Sequence, residues 1–187
     1  IVSFLMVVLF TNTLTLYLSF GGALLAFIYP FTKRYTHLPQ LFLGAAFSWA
    51  IPMAWAAEAG EISQVTWLLF TANVLWTVAY DTFYAMVDRD DDLKVGIKST
   101  AILFGDADRA IIGTLQAMVV LTLIIVGHRC ELGTFYYLGL VAMACLFIYQ
   151  QFLAKDRERD GCFKAFLNNN WAGFAVFSGL VIDLILS

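Results

Sequence analysis

Apolar residues run almost unbroken for about eighteen positions, and they do so repeatedly along the 187-residue chain, which is the length a helix needs to cross a bilayer. A water-soluble domain of this size needs a charged shell. Here 61% of residues are hydrophobic, only 13% are charged, and the mean hydropathy is +0.79. Soluble enzyme, secreted disulfide scaffold, collagen and disordered tail are excluded by that balance. The net charge of −3 carries little information, because in a membrane protein the placement of Lys and Arg matters more than their sum.

Hydropathy divides the chain into a stub over about Ile1 to Thr11 and six spans: Leu14 to Phe31, Leu38 to Ala57, Gln64 to Tyr80, Ala110 to Gly127, Gly133 to Phe152 and Leu167 to Leu186. Backbone amides in hydrocarbon must be satisfied within their own segment, and the period-two alternation of a barrel is absent, so an all-α, polytopic transmembrane helical bundle is expected. It forms one membrane domain over residues 1–187, with the long connector 81–108 on one side. Pro52 should kink the second span. Asn168, Asn169 and Asn170 are read as caps at the start of the last one. Asp183, near the outer end of that span, is expected to snorkel to the interface. The chain opens on Ile1 inside an apolar run, so a fragment is expected rather than a natural amino terminus. Cys130, Cys145 and Cys162 show no metal-ligand or disulfide spacing and are read as packing residues.

Alternating spans place ten of the eleven Lys and Arg residues on one side and Arg129 alone on the other. The positive-inside rule then puts the Lys33 turn, the 81–108 connector and the 155–164 turn in the cytoplasm.

The connector carries the chemistry. It reads YDTFYAMVDRDDDLKVGIKSTAILFG over residues 80–105, with five aspartates within twelve residues. If the preceding helix runs on, Asp81, Asp88 and Asp92 share one face with Tyr84 between them. Carboxylates brought together repel unless a cation joins them, and oxygen-only ligands favour a hard ion such as Mg²⁺ or Ca²⁺. Lys94 and Lys98 add the opposite charge at the same depth, a combination suited to a metal-bridged diphosphate. The plain alternative for such a run is a solvated charged loop.

These residues, with YPFTKRYTHLPQ at 29–40, Tyr149-Gln150-Gln151 and FKAFLNNN at 163–170, resemble the UbiA superfamily of membrane prenyltransferases, and within it the branch that prenylates 4-hydroxybenzoate. The resemblance implies a Mg²⁺-dependent enzyme of ubiquinone biosynthesis in the bacterial inner membrane, with its active site facing the cytoplasm. It joins a polyprenyl diphosphate to 4-hydroxybenzoate, with the lipid bilayer as its other partner and no nucleic acid. By resemblance, Asp88 and Asp92, with Asp81, hold the metal; Arg34, Lys33, Lys94 and Lys98 face the diphosphate; and Asp88, Asp92 and Arg34 are the catalytic set. An NDxxDxxxD motif that the superfamily carries on an earlier helix is not found in these residues, so the chain corresponds to about the carboxy-terminal two thirds of the family and is expected to be inactive alone. The competing readings are another superfamily branch, making a menaquinone, haem or tocopherol-type product, and a non-enzymatic membrane cation-binding protein or transporter.

Overall fold

The computed structural model describes residues 2–186; Ile1, the first residue of the expected stub, lies outside them. Among these residues the secondary structure is entirely helical: α1 (Val2–Phe10), α2 (Thr13–Tyr35), α3 (Pro39–Ser48), α4 (Ala50–Ala59), α5 (Gln64–Val95), α6 (Thr100–Phe104), α7 (Asp108–Arg129), α8 (Thr134–Leu153) and α9 (Arg159–Leu186), with a single 3₁₀ turn at Gly105–Ala107. Local chemistry sets the boundaries. The Asn12 side chain accepts from the Thr15 N–H at 3.0 Å to begin α2, Ser63 and Thr66 form a reciprocal capping box at α5, and Gly96 in the left-handed region ends α5.

The second expected span is present as α3 and α4 with a break at Trp49. Pro52 lacks the N–H that would bond to the Ser48 carbonyl, and its ring crowds that same carbonyl, so the helix breaks one turn before the proline. Five stretches among the described residues are long and apolar enough to cross a membrane, with α3 and α4 counting as one. This is an integral membrane protein. The sixth expected span, over 64–80, is helical but is not one of the five. Its reason is position: α5 is bordered by α3, α4, α7 and α9, so much of its surface meets protein rather than lipid and Thr66, Asn73, Thr77 and Thr82 can be accommodated. Ala79, Phe83, Ala85 and Met86 of α5 pack with Ile112 of α7 and Cys162 and Ala165 of α9. Large apolar side chains such as Phe27, Leu121, Val141 and Phe177 point outward instead, as hydrocarbon requires.

The α8–α9 pair packs closely because two glycines face it: a Cβ on Gly139 would lie 2.8 Å from the Ala175 carbonyl, and one on Gly179 would lie 2.6 Å from that of Phe135. Asp183 does not snorkel. Its carboxylate accepts from the backbone N–H groups of Gly133 at 2.5 Å and Phe135 at 3.1 Å, so α9 supplies the cap that α8 lacks in its own sequence. The asparagines also differ from expectation. Because α9 starts at Arg159, Asn168 to Asn170 lie inside it. There Asn168 accepts from Gln150 at 3.1 Å, and Asn169 accepts from the Trp76 indole N–H at 2.8 Å. Cys162 is buried, whereas Cys130 and Cys145 are exposed.

The basic turns do gather at one end of the bundle. The Lys98 N–H donates to the Lys33 carbonyl at 3.2 Å, Arg159 pairs with Asp91 at 2.8 Å, and Arg157 pairs with Asp108 at 2.9 Å. Arg129 lies at the other end, where it donates to Gln64 at 2.6 Å.

Candidate active site

A helix of 32 residues is roughly 48 Å long, well beyond the ~30 Å of bilayer hydrocarbon. The carboxy-terminal half of α5 therefore carries Asp88 and Asp92 past the apolar layer without leaving the helix, with Asp81 near its edge. Asp81, Asp88 and Asp92 fall on one side of it, and all three line a single cavity of ≈ 120 Å³ together with Tyr84, Lys33 and Tyr29 from α2, Gln40 from α3, and Ile97, Lys98 and Ser99 from the segment after α5.

Hydrogen bonds hold these walls together. Gln40 is buried and accepts from the Thr100 N–H at 3.1 Å, while the Thr82 and Thr100 hydroxyls meet at 2.7 Å. Behind the segment, Arg89 donates to the Ala101 carbonyl, to that of Gly105 at 3.1 Å and to Asp108 at 2.8 Å. Asp108, fully buried, also accepts from Arg157. Two guanidiniums on one buried carboxylate thus tie α5, α7 and the α8–α9 turn behind the wall that carries Lys98.

The cavity's electrostatics follow from crowding. The Asp92 carboxyl is raised above its ordinary range, first by partial burial, then by Asp88 and Asp91, with Lys33 opposing. Burial also raises Asp81, against the pull of Lys33 and a hydrogen bond from Gln40. Asp91, about 100° round α5 from Asp92, is held low by hydrogen bonds from Lys94 and Arg159. Among the described residues no three acidic, His or Cys side chains gather closely enough to hold an ion by themselves.

Of the basic residues expected here, Lys33 and Lys98 line the cavity, and Arg34 and Lys94 do not. Neighbours on a helix point roughly 100° apart; both Lys33 and Arg34 are exposed, and Lys33 is the one of the two that lines the cavity. Lys94 lies half a turn round from Asp92 and pairs with Asp91 at 3.0 Å. Sequence reasoning overlooked Gln40 as a wall residue and the Arg89–Asp108–Arg157 cluster. A Gln at the entry of an apolar span is a usable signal, since a buried amide needs partners; the cluster depends on pairing across distant segments.

Beyond Tyr84 the surroundings become aromatic and apolar. Tyr84 lies 5.2 Å from Phe166, ring centre to ring centre, and Tyr80 lies 6.0 Å from the same ring. Tyr80 and Phe166 line a chamber of ≈ 440 Å³ between α5 and α9, with Asn73, Trp76 and Phe174. A charged cavity and a separate chamber lined by aromatic rings and the asparagines Asn73, Asn169 and Asn170 thus follow each other along α5.

The sequence profile of the UbiA prenyltransferase family matches residues 1–174. The chain is 84% identical over 184 residues to a protein of Marinobacter nauticus called 4-hydroxybenzoate octaprenyltransferase, covering 98% of this chain and 63% of that protein. A protein of the same name from Alcanivorax borkumensis is 65% identical over 173 residues, covering 92% of this chain and 60% of its own length. The chain thus spans less than two thirds of these relatives. In three dimensions it is similar to the apo structure of a UbiA homolog from Aeropyrum pernix, with a TM-score of 0.81 and 27% identity over 97% of this chain and 68% of the other. With the profile spanning 174 of the 187 residues, the chain belongs to the UbiA prenyltransferase family.

Proposed function

We infer that a protein containing this chain transfers a polyprenyl group from its diphosphate to the ring of 4-hydroxybenzoate, with Mg²⁺, at the cytoplasmic face of a bacterial inner membrane. The observation that carries this is the joint lining of one cavity by Asp81, Asp88, Asp92, Lys33 and Lys98, with a chamber of aromatic and asparagine side chains further along the same helix. The names of the relatives supply the acceptor.

The donor set suits the metal. Magnesium takes oxygen ligands and commonly only one or two carboxylates, completing its shell with water and phosphate oxygens; the four-residue spacing of Asp88 and Asp92 offers such a pair, and no closed three-ligand cage is needed. When bound there, the ion would supply positive charge against the departing diphosphate. Asp81 is the third acidic group of the wall.

Breaking the allylic carbon–oxygen bond leaves negative charge on the diphosphate and positive charge on the allyl fragment. Lys33 and Lys98 provide fixed charge for the first, placed by the backbone bond between their own residues. The rings of Tyr84, Tyr80 and Phe166 provide π faces for the second, at about 0.5–2 kcal/mol for each well-placed ring. The same rings separate the allylic carbon from water while the ring carbon ortho to the phenol attacks and then loses its proton. The apolar chamber keeps the tail out of water.

The test is transfer in membranes containing a protein of the relatives' length with this sequence. Labelled polyprenyl diphosphate and 4-hydroxybenzoate should give the ring-prenylated acid with Mg²⁺ and none after chelation. Product formed equally well after chelation, or from a different aromatic acceptor in preference, would overturn the reading.

A further inference from the structure

The charged cavity keeps its opposite charges apart. Among the described residues the ion pairs are made by Asp91, Asp108 and Asp160 with their Lys and Arg partners, and none joins an aspartate of the cavity to Lys33 or Lys98. Lys98 turns its ammonium to the Tyr35 carbonyl at 3.4 Å instead. Carboxylates and ammoniums lining one space of ≈ 120 Å³ attract each other, so a carboxylate there needs another partner if the ammoniums are to stay unpaired.

Gln40 is that partner for Asp81. It lies in the first turn of α3, only 4% exposed, and the two ends of its amide are used differently. The side-chain oxygen accepts from the Thr100 N–H at 3.1 Å, which leaves the NH2 group as the end that donates to the Asp81 carboxylate. Asp81 is half-buried, and a carboxylate in such a place requires a donor. An amide supplies the hydrogen bond without neutralising the carboxylate, and Lys33, the cation whose charge acts on Asp81, is left unpaired.

We propose that Gln40 is a positioning residue that reserves Lys33 for the diphosphate, holding the Asp81 carboxylate toward α3 so that it does not capture the Lys33 ammonium. This rests on the prenyl-diphosphate reading of the same cavity. A captured ammonium has to break its pair before it meets the substrate, and its charge is partly cancelled where the leaving anion forms. The Thr100 bond fixes which way the amide faces, so the donor end stays on Asp81.

The experiment uses a protein of the relatives' length carrying this sequence, in membranes, with labelled polyprenyl diphosphate, 4-hydroxybenzoate and Mg²⁺. Gln40→Met keeps the length of the side chain and removes its donor; kcat/KM for the diphosphate should fall roughly tenfold, a partial form of losing one cation at a developing anion. In a Lys33→Ala background the same substitution should change kcat/KM by less than about twofold, because no ammonium is left to capture. Thr82→Val removes the hydroxyl contact to Thr100 and loosens the same segment without touching Asp81. It should lower Tm and leave kcat/KM per folded molecule within about twofold of wild type. An unchanged kcat/KM in Gln40→Met, or equal losses in the two backgrounds, overturns the proposal, the second because Gln40 then acts through the fold alone. So does a loss in Thr82→Val as large as that expected of Gln40→Met, which can be read even if the Met variant fails to accumulate. A wild-type protein that transfers nothing from the diphosphate would instead sink the prenyl-transfer reading beneath it.

Discussion

Lys33 and Arg34 are adjacent on the last turn of α2, yet only Lys33 lines the aspartate cavity. Its backbone carbonyl also accepts the Lys98 N–H at 3.2 Å, so the backbones that carry the two cavity lysines are fixed to each other. Lys33→Ala or Lys98→Ala should lower kcat/KM for prenyl transfer on the order of a hundredfold, the scale of removing one donor to a developing anion. Arg34→Ala and Lys94→Ala, whose side chains face elsewhere, should stay within about fivefold of wild type. Steady-state kinetics of the four variants at saturating acceptor would separate the two pairs, and a larger loss in Arg34→Ala than in Lys33→Ala would reverse the assignment.

Asp88→Ala and Asp92→Ala should each abolish most Mg²⁺-dependent turnover, by a factor of about 10² or more, while the protein still accumulates in the membrane. Both side chains lie at the cavity wall and outside the buried core, so little stability is at stake. Raising Mg²⁺ should partly restore the Asp92 variant if one carboxylate of the pair still binds. Normal turnover in either variant would remove the metal from this cavity.

Asp108 is the carboxylate whose loss should cost stability. It is fully buried and pairs with Arg89 and Arg157, which are partly exposed. Asp108→Ala leaves two guanidiniums without their anion. Destabilisation near the lower end of about 3–5 kcal/mol is expected, because both cations reach solvent. Thermal unfolding in detergent would register it as a lower Tm and reduced yield.

Asp183→Ala removes the cap of α8 and should cost about 1–2 kcal/mol. Asp183→Asn, which keeps an acceptor oxygen, should cost less. Activity per folded molecule should not change in either variant, since Asp183 lies at the far end of the bundle from the aspartate cavity. A large loss of kcat with normal Tm would give this carboxylate a role in the reaction.

Much of this was legible in the residues themselves. The shared face of Asp81, Asp88 and Asp92 follows from helical periodicity once α5 continues, and the one-sided distribution of Lys and Arg anticipates which turns meet. Three features escaped for physical reasons. The start of α9 is charged and reads as a turn, so Asn168 to Asn170 seemed to be caps when they are interior. Asp183 looked like an isolated acid because its partners, the amides of Gly133 and Phe135, belong to another helix. The choice between Lys33 and Arg34 depends on how far α2 is rotated about its axis, which neighbours one residue apart in sequence do not encode.

The modest apolarity of α5 bears on how the molecule is made. A segment with Gln64, Asn73 and several threonines gains little from entering lipid by itself, so its integration during biosynthesis depends on α3, α4, α7 and α9 arriving to shield it. A chain whose neighbouring helices are assembled incorrectly would therefore leave α5 poorly held in the bilayer.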